Sequence, residues 1–530
     1  MAKRKRAAIT WDAKKLASRV LDPAALKGRR AWKMTSEGGR PVLMSRFAEE
    51  PPPLAIACPL KGRHAVTVEV CNGVGGTARV PGTVCVECAG APGPYVVPST
   101  AGHSSFDLGV WKLNGSPLTI RKVNLGEVGI SRILFEKRAE GSPYFSKASR
   151  RGGKIIWGIC DQADFAVSSA SSDIRNFEAM VRYHRELGFN TISWHMYLGS
   201  CEYPTEVGTT FTHINLNDQK TLRMLSESKR AAYVDWIWRE FIHRYDCMEQ
   251  GIRLAHQEGL RFFPCFRMNN EWGAKWCEEF STREFLRTFW QPEFFKKHPE
   301  YWSQYKNGAP TGGGMDYSHA PVRKYRLDII REVVQGYPDI DGLFLDLHRH
   351  PPMVTYPNKT VKAFRKRYGV DVRKVKPVKE ETMDPRWLKF RSRYFTTFMR
   401  SVKKLKAKLR KRYPTAVRTE RTFLECLREG ADLKAWFDEK LVDILILEDY
   451  RRTEPDVSLA PVIEAASRAG VKVIGGFPYL AHDRDWTEVA ATAERWLSEG
   501  ACGVAVYESN EAVCGPLLRK NMPQWVASLR

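Results

Sequence analysis

No run in the 530 residues is long and apolar enough to cross a bilayer as a helix, which excludes an integral helical membrane protein. No apolar core follows the basic residues Met1 to Arg6, so nothing there reads as a signal peptide, and a cytoplasmic location is the expectation. Paired cysteines are also missing. The twelve are scattered singly, several inside predicted strands or helices (Cys160, Cys265, Cys502), a pattern of reduced, buried thiols rather than a disulfide framework. The one Cys-x-x-Cys, Cys85 to Cys88, has no second pair or histidine at zinc spacing and reads as strand residues. A dinucleotide-type glycine fingerprint is absent, and no cofactor is expected. Carboxylates are in deficit: 60 Asp and Glu stand against 84 Lys and Arg, a formal net charge of +24. Such an excess suits a polyanionic partner, but no recognition motif accompanies it, so nucleic acid is not the expected one.

The chain is 43% hydrophobic and 11% aromatic, enough for large cores and for two or three domains. Sixteen Trp and nineteen Tyr exceed what a core alone requires, and flat apolar rings suit sugar-binding clefts. Much of the positive charge is local. Between Lys359 and Arg412 the only carboxylates are Asp371, Glu380, Glu381 and Asp384, and Val402 to Tyr413 reads as an amphipathic helix with a basic face. That face is either simply solvated or a surface for a charged polysaccharide, sulfated or uronate-containing.

Three regions follow from the patterning. Residues 1–40 form a basic N-terminal segment, 41–145 carry short β-type runs between Gly- and Pro-rich turns and read as a small β-sandwich-like domain, and 150–530 repeat strand, loop and helix. The expected strands are Ile155–Asp161, Thr191–Tyr197, Arg261–Arg267, Gly342–His348, Ala416–Glu420, Val442–Glu448, Val471–Phe477 and Cys502–Glu508. The helical stretches between them often end at glycine, as helix C-termini prefer. Eight mostly apolar strands alternating with helices predict an α/β chain built as a (β/α)8 barrel.

A barrel of this kind carries its site at the C-terminal ends of its strands, so the polar residues there are the candidates. Alternation along strand four sends Phe344, Asp346 and His348 inward if Leu343, Leu345 and Leu347 pack on helices. The same parity groups Glu448 with Ile444 and Ile446, Arg418 with Glu420, and His195 with Tyr197. Asp161, Arg267 and Glu508 end strands one, three and eight. Several carboxylates among His, Arg and Tyr are what acetal cleavage requires, one to protonate the leaving oxygen and one to stabilise or attack the anomeric carbon. Asp346 is the expected nucleophile or base and Glu448 the expected acid, with Glu420 and Glu508 as substitutes in either role. Asp161, His195, Tyr197, Arg267, Trp272, His348, Arg349, His350, Arg418 and Tyr479 are expected to bind substrate. His348-Arg-His350 also admits a metal reading, but hydrogen bonding to sugar hydroxyls is preferred and no metal is expected. The long loops after strands two and three hold Tyr203, Trp272, Trp276, Tyr301, Trp302, Tyr317 and His319, rings that can line a cleft.

Several segments, in order, resemble the glycosyl-hydrolase-like family 10 proteins. They are His298 to Trp302, Asn307-Gly308, Met315 to Arg323, Tyr337 to Asp346, Arg349 to Pro352, Val417-Arg418, Asp432 to Trp436, Leu441 to Asp443 and Gly500 to Gly503. The resemblance covers most of residues 150–530 and implies a glycosidase-type barrel, with Asp346 matching the family's strand-four aspartate. The expected function is hydrolysis of glycosidic bonds in an oligo- or polysaccharide. Two alternatives stand beside it. Asn270-Glu271 resembles the acid motif of another large glycosidase clan, which places it on strand four, with the nucleophile three strands later at Glu448. The other is a carbohydrate- or polyanion-binding barrel without turnover. Nothing in the sequence sets an oligomeric state.

Overall fold

The computed structural model describes residues 8–28, 30–46, 49, 51–72, 83–89, 95–98, 102–122, 127–139, 153–160, 174–210, 246–270, 292–348, 352–375, 383–449, 457–478 and 486–510. The chain forms two compact units, one from 1–153, 161–189 and 508–530, the other from 154–160 and 190–507.

In the first unit, β-branched residues at alternate positions build antiparallel strands with one buried face. The strands are β1 (Ile9–Asp12), β2 (Lys33–Glu37), β3 (Arg40–Ser45), β4 (Leu54–Ile56), β5 (Lys61–Asn72), β6 (Thr83–Cys88), β7 (Tyr95–Pro98), β8 (Gly102–Asn114), β9 (Leu118–Lys122) and β10 (Val128–Lys137). One sheet runs β2-β3-β10-β5-β8 with β1 added on β10; the other runs β4-β9-β6-β7. In β5, Val66, Val68 and Val70 are fully buried, as are Ile130, Ile133 and Phe135 of β10. β1 and β2 lie inside the stretch 1–40, so the β-region reaches further toward the N-terminus than its composition suggests. Asp12 caps the short helix α1 (Ala13–Ala17) by accepting from Lys15 N–H at 2.8 Å. Helix α2 (Ile174–Leu187) also belongs to this unit. Cys85 and Cys88 are residues of β6, and every described cysteine is a free thiol.

The second unit is a closed parallel barrel. Its strands are β11 (Ile155–Cys160), β12 (Thr191–Tyr197), β13 (Arg261–Phe262) with β14 (Cys265–Arg267), then, after the antiparallel hairpin β15 (Trp302–Gln304) and β16 (Pro310–Met315), β17 (Leu343–Asp346), β18 (Thr415–Thr419), β19 (Ile444–Leu447), β20 (Lys472–Phe477) and β21 (Gly503–Tyr507). β13 and β14 are one strand interrupted at Phe263-Pro264, where proline has no N–H for the ladder. Eight strands thus follow each other round, and β11 pairs with both β12 and β21 to close the ring. The strands are buried on both faces, which is why they read as nearly continuous apolar runs. Ile155, Trp157, Ile159, Phe263, Cys265, Phe344, Ala416, Ile444, Ile446, Ile474, Ala505 and Tyr507 fill the interior. Trp157 Nε1 donates to Ser193 Oγ at 2.7 Å, so an indole N–H that would otherwise be stranded in the core is satisfied.

The covering helices include α3 (Cys247–Gln257), α4 (Glu293–Lys297), α5 (Ala320–Gly336), α6 (Asn358–Tyr368), α7 (Pro385–Lys408), α8 (Phe423–Glu429), α9 (Leu433–Asp438), α10 (Ala460–Arg468) and α11 (Trp486–Ser498). Several stop at glycines in the left-handed region, Gly369 after α6 and Gly430 after α8. Among the described residues no helix is long and apolar enough to cross a membrane.

Candidate active site

Ladder register carries Arg267, Asp346 and Arg418 to the same level on β14, β17 and β18. All three face the lumen, two residues beyond the interior residues Cys265, Phe344 and Ala416. Glu448 follows the same parity beyond Ile444 and Ile446. The Arg418 guanidinium joins the carboxylates: Nη1 donates to Asp346 Oδ2 at 3.0 Å, Nε to Glu448 Oε2 at 2.8 Å and Nη2 to Glu448 Oε1. Its central carbon lies 3.9 Å from the ring centroid of Tyr507, whose hydroxyl accepts from Arg267 Nη2. His195 Nε2 is 3.8 Å and Arg267 Nε 4.0 Å from Asp346 Oδ2, and His348 N–H donates to Asp346 Oδ1 at 3.0 Å. Gly476 of β20 stands against Glu448: a Cβ there would lie 2.8 Å from the Glu448 Cβ, so only glycine leaves that carboxylate room.

Asp346 and Glu448 are both 0% exposed. Burial by itself would raise their proton affinity, but the Arg418 cation, with the His195 and His348 rings nearby, outweighs it. Together they hold Asp346 well below the ordinary carboxylate range and lower Glu448 as well. Glu448, the expected acid, therefore sits where an anion is favoured rather than a proton donor.

A second group of carboxyls behaves in the opposite way. Glu420, just past the end of β18, is 7% exposed, and Glu429, the last residue of α8, is 4% exposed. Oε2 of Glu429 accepts from Thr419 Oγ1 at 2.6 Å and from Glu420 N–H at 3.3 Å; Oε1 is 3.6 Å from His348 Nε2. Burial pushes Glu420 up to about 8, with the nearby negative charges of Glu429 and Asp449 adding to the effect and His348 opposing it. Glu429 is raised for the same first reason. His348 lies between the two groups, its Nδ1 3.8 Å from Glu448 Oε1. Burial disfavours its charge, but Glu429 and Glu448 more than compensate and raise it to about 9.

One atom each from His348, Glu420 and Glu429 lie within 4.8 Å of one another, as do one each from His195, Cys265 and Asp346, so either set could be bridged by a cation. In the first set the carboxylates around His348 favour its charged form, and in the second Arg418 donates to Asp346.

Other expected site residues lie elsewhere. The β12–β14 register shifts between His195 and Tyr197, so the two part company: His195 faces Asp346 while the Tyr197 ring carries the Arg326 guanidinium of α5 at 4.7 Å. Glu508 is buried with a left-handed backbone (φ 50°) and belongs to the first unit. Asp161, Trp272, Arg349, His350 and Tyr479 lie outside the described residues, as do Glu271 and Trp276. Asn270 follows the third barrel strand rather than the fourth, and its Nδ2 donates to Leu198 O at 2.8 Å. Several loop rings pack the loops down instead of lining a cleft. Trp302 stacks on Phe295 at 4.7 Å, Tyr317 packs on Phe395 and Phe398, and Tyr203 donates to Glu332 of α5 at 3.1 Å. Glu429 escaped the sequence reading altogether. Its one signal was an acid in the last turn of a short helix, at the wrong end of the helix dipole.

The profile of the family described as Glycosyl hydrolase-like 10 matches residues 205–475, just over half of the chain. The chain belongs to the glycosyl hydrolase-like 10 family. The match runs from the loop after β12 into β20, so it takes in Asp346, Arg418, Glu420, Glu429 and Glu448. No curated protein matches the sequence. Among solved structures, this family member is similar to the catalytic domain of β-amylase from Paenibacillus polymyxa, at 10% identity over 71% of this chain and 99% of that one, TM-score 0.42. It is also similar to the CBM22-1–GH10 modules of endo-1,4-β-D-xylanase 10B from Clostridium thermocellum, at 11% identity over 93% of each chain, TM-score 0.36.

Proposed function

We propose that this barrel is a glycoside hydrolase in which Glu420 is the general acid and Asp346 the ionised carboxylate. The observation that carries the reading is the split between carboxyls on adjacent strands: Asp346 is held ionised by Arg418, while burial raises Glu420 to about 8. Environments that push two carboxyl groups apart in this way make the acid and base assignments of acetal cleavage. The Glu420 proton passes to the leaving oxygen as the glycosidic C–O bond breaks, and Asp346 stabilises or attacks the anomeric carbon. Glu448 fixes the far side of Arg418 and so orients the guanidinium toward Asp346. The backbone N–H of His348 donates to Asp346, and its ring, charged between Glu429 and Glu448, contributes to the low proton affinity of that carboxylate through its charge.

One observation favours a second reading, a glycan-binding barrel without turnover. Asp346 is fully buried and already engaged by Arg418, which is also how a purely structural ion pair looks. A hydrolysis screen over aryl glycosides and polysaccharides separates the two. The enzyme reading expects turnover by the wild type, loss of it in Asp346→Asn and Glu420→Gln with folding retained, and a smaller loss in Glu420→Gln on substrates whose leaving group needs no protonation. Glycan binding with no hydrolysis of any substrate would leave the binding reading.

A further inference from the structure

We infer that the exposed face of α6 is a binding surface for a polyanionic glycan, one bearing uronate or sulfate groups, reaching outward from the active-site end of the barrel. The glycan identity rests on the proposed function; the charge does not. α6 reads Asn358-Lys-Thr-Val-Lys-Ala-Phe-Arg-Lys-Arg-Tyr368 and contains no acid. It buries Thr360, Val361 and Phe364 and exposes Lys359, Lys362, Arg365, Lys366 and Arg367. Lys359, Lys362 and Lys366 fall three and four apart, so they form one line along the helix, flanked by the two arginines.

Arg365, Lys366 and Arg367 in the last turn suit the helix dipole, but Lys359 and Lys362 near its start are disfavoured by that dipole and by their like-charged neighbours, so helix stability does not account for these two. Among the described residues none of the five forms an ion pair. The contrast with α7 is direct. There Arg386 pairs with Asp384 at 2.7 Å, Lys389 with Asp432 at 2.5 Å, Arg400 with Glu439 at 2.6 Å and Lys406 with Asp443 at 3.4 Å, so much of its charge is already balanced.

Position selects the ligand. α6 follows β17, the strand that ends at Asp346, and precedes α7, which returns over about 36 Å to the start of β18, where Lys406 Nζ donates to Thr415 Oγ1 at 2.8 Å. α6 packs on the opening turns of α7, Phe364 against Trp387 and Phe390 with centroids 5.2 and 5.4 Å apart. The stripe therefore lies at the end of the barrel that holds the carboxyl cluster. Its exposed face presents no aromatic side chain, so a ligand there is held by charge and not by ring stacking, and its place at the end of the barrel proposed to cleave sugars is what favours an acidic glycan over nucleic acid.

The test compares binding of polygalacturonate, heparin, a neutral polysaccharide and DNA of matched charge to the full chain, across 50 to 200 mM salt. Expected are binding of the two acidic glycans with an affinity that falls steeply with salt, no charge-dependent binding of the neutral polymer, and about a tenfold loss in Lys362→Glu/Lys366→Glu with unchanged circular dichroism. Lys362→Gln/Lys366→Gln should fall between. Glu420→Gln should bind the acidic glycans as the wild type does, so turnover retained in that variant counts against the proposed acid, absence of turnover in the wild type counts against the enzyme reading, and neither counts against this surface. Equal affinity in the wild type and the Lys362→Glu/Lys366→Glu variant, no acidic-glycan binding even at 50 mM salt, or tighter binding of DNA than of either glycan overturns the inference.

Discussion

Arg418 and Tyr507 are stacked across the barrel lumen, guanidinium carbon to ring centroid 3.9 Å, so one arginine is fixed at once by a π-face and by two carboxylates. Such a side chain has little freedom left, and its removal strands two buried negative charges. Arg418→Met is expected to destabilise the fold by about 3–5 kcal/mol, read from denaturant unfolding. Replacing the ionic set together, in Asp346→Leu/Arg418→Met/Glu448→Leu, should recover most of that loss, because apolar groups need no partner. The triple variant should be folded and without hydrolytic activity. A triple variant as unstable as Arg418→Met would mean the set is held for stability and not for chemistry.

The shifted groups fix a pH window. Glu420 and His348 have folded values raised to about 8 and about 9, so the stability they contribute is complete below their unfolded values and is lost as pH rises through 8 and 9. Asp346 and Glu448 are lowered, so their contribution is present above the ordinary carboxylate range and is lost as pH falls through it. Stability measured by urea unfolding should therefore be highest near about pH 5 and decline as pH rises toward 8 and 9, with Glu420 carrying the first part of the decline and His348 the later part. Glu420→Gln should flatten the alkaline side, and kcat/KM of the wild type should fall above about pH 8 as the acid loses its proton. An alkaline limb that is unchanged in Glu420→Gln would remove Glu420 from the acid role.

Much of this was readable in advance because a parallel strand buried on both faces can place a charge only at its end. Asp346, Arg418 and Glu448 each lie at or beside the end of a strand, and alternation sends Asp346 to the lumen while it only groups Arg418 and Glu448 with their same-face neighbours. The pairing among them was not readable: that one guanidinium holds both carboxylates depends on ladder register between strands. Tyr197 was misjudged for a local reason, since a register shift after His195 breaks the alternation that the sequence still displays. Glu429 comes from a helix, and strand parity is silent about helices. The loop aromatics were overcounted as cleft residues because composition does not tell a ring that stacks on sugar from one that pins a hairpin.

Gly476 tests the positioning of Glu448. An added methyl group would meet the Glu448 Cβ at 2.8 Å and its Oε2 at 3.1 Å, and neither neighbour can withdraw without disturbing the Arg418 pair. Gly476→Ala should lower kcat while leaving KM within about twofold, with a stability loss of about 1–3 kcal/mol. Unchanged kcat would show that displacement of Glu448 is not felt at Asp346.

Glu332 of α5 anchors the loop after β12. Its Oε2 accepts from the hydroxyls of Tyr203 and Thr205, and its Oε1 from the backbone N–H groups of Glu206 at 2.7 Å and Val207 at 3.3 Å. Four donors converge on one carboxyl group; of the two backbone amides, Val207 N–H also donates to Thr205 Oγ1 at 3.2 Å, so Glu206 N–H depends on Glu332 the more. Glu332→Ala should cost about 1–3 kcal/mol and should raise hydrogen exchange at Glu206 and Val207 far more than in the barrel strands. Glu332→Gln keeps one carbonyl oxygen but places an N–H where the other acceptor stood, so it should protect the loop only in part. If both variants leave Glu206 and Val207 as slow to exchange as the wild type, the loop is held by Cys201 N–H donating to Thr209 O at 2.8 Å and the packing around it, and not by this carboxylate.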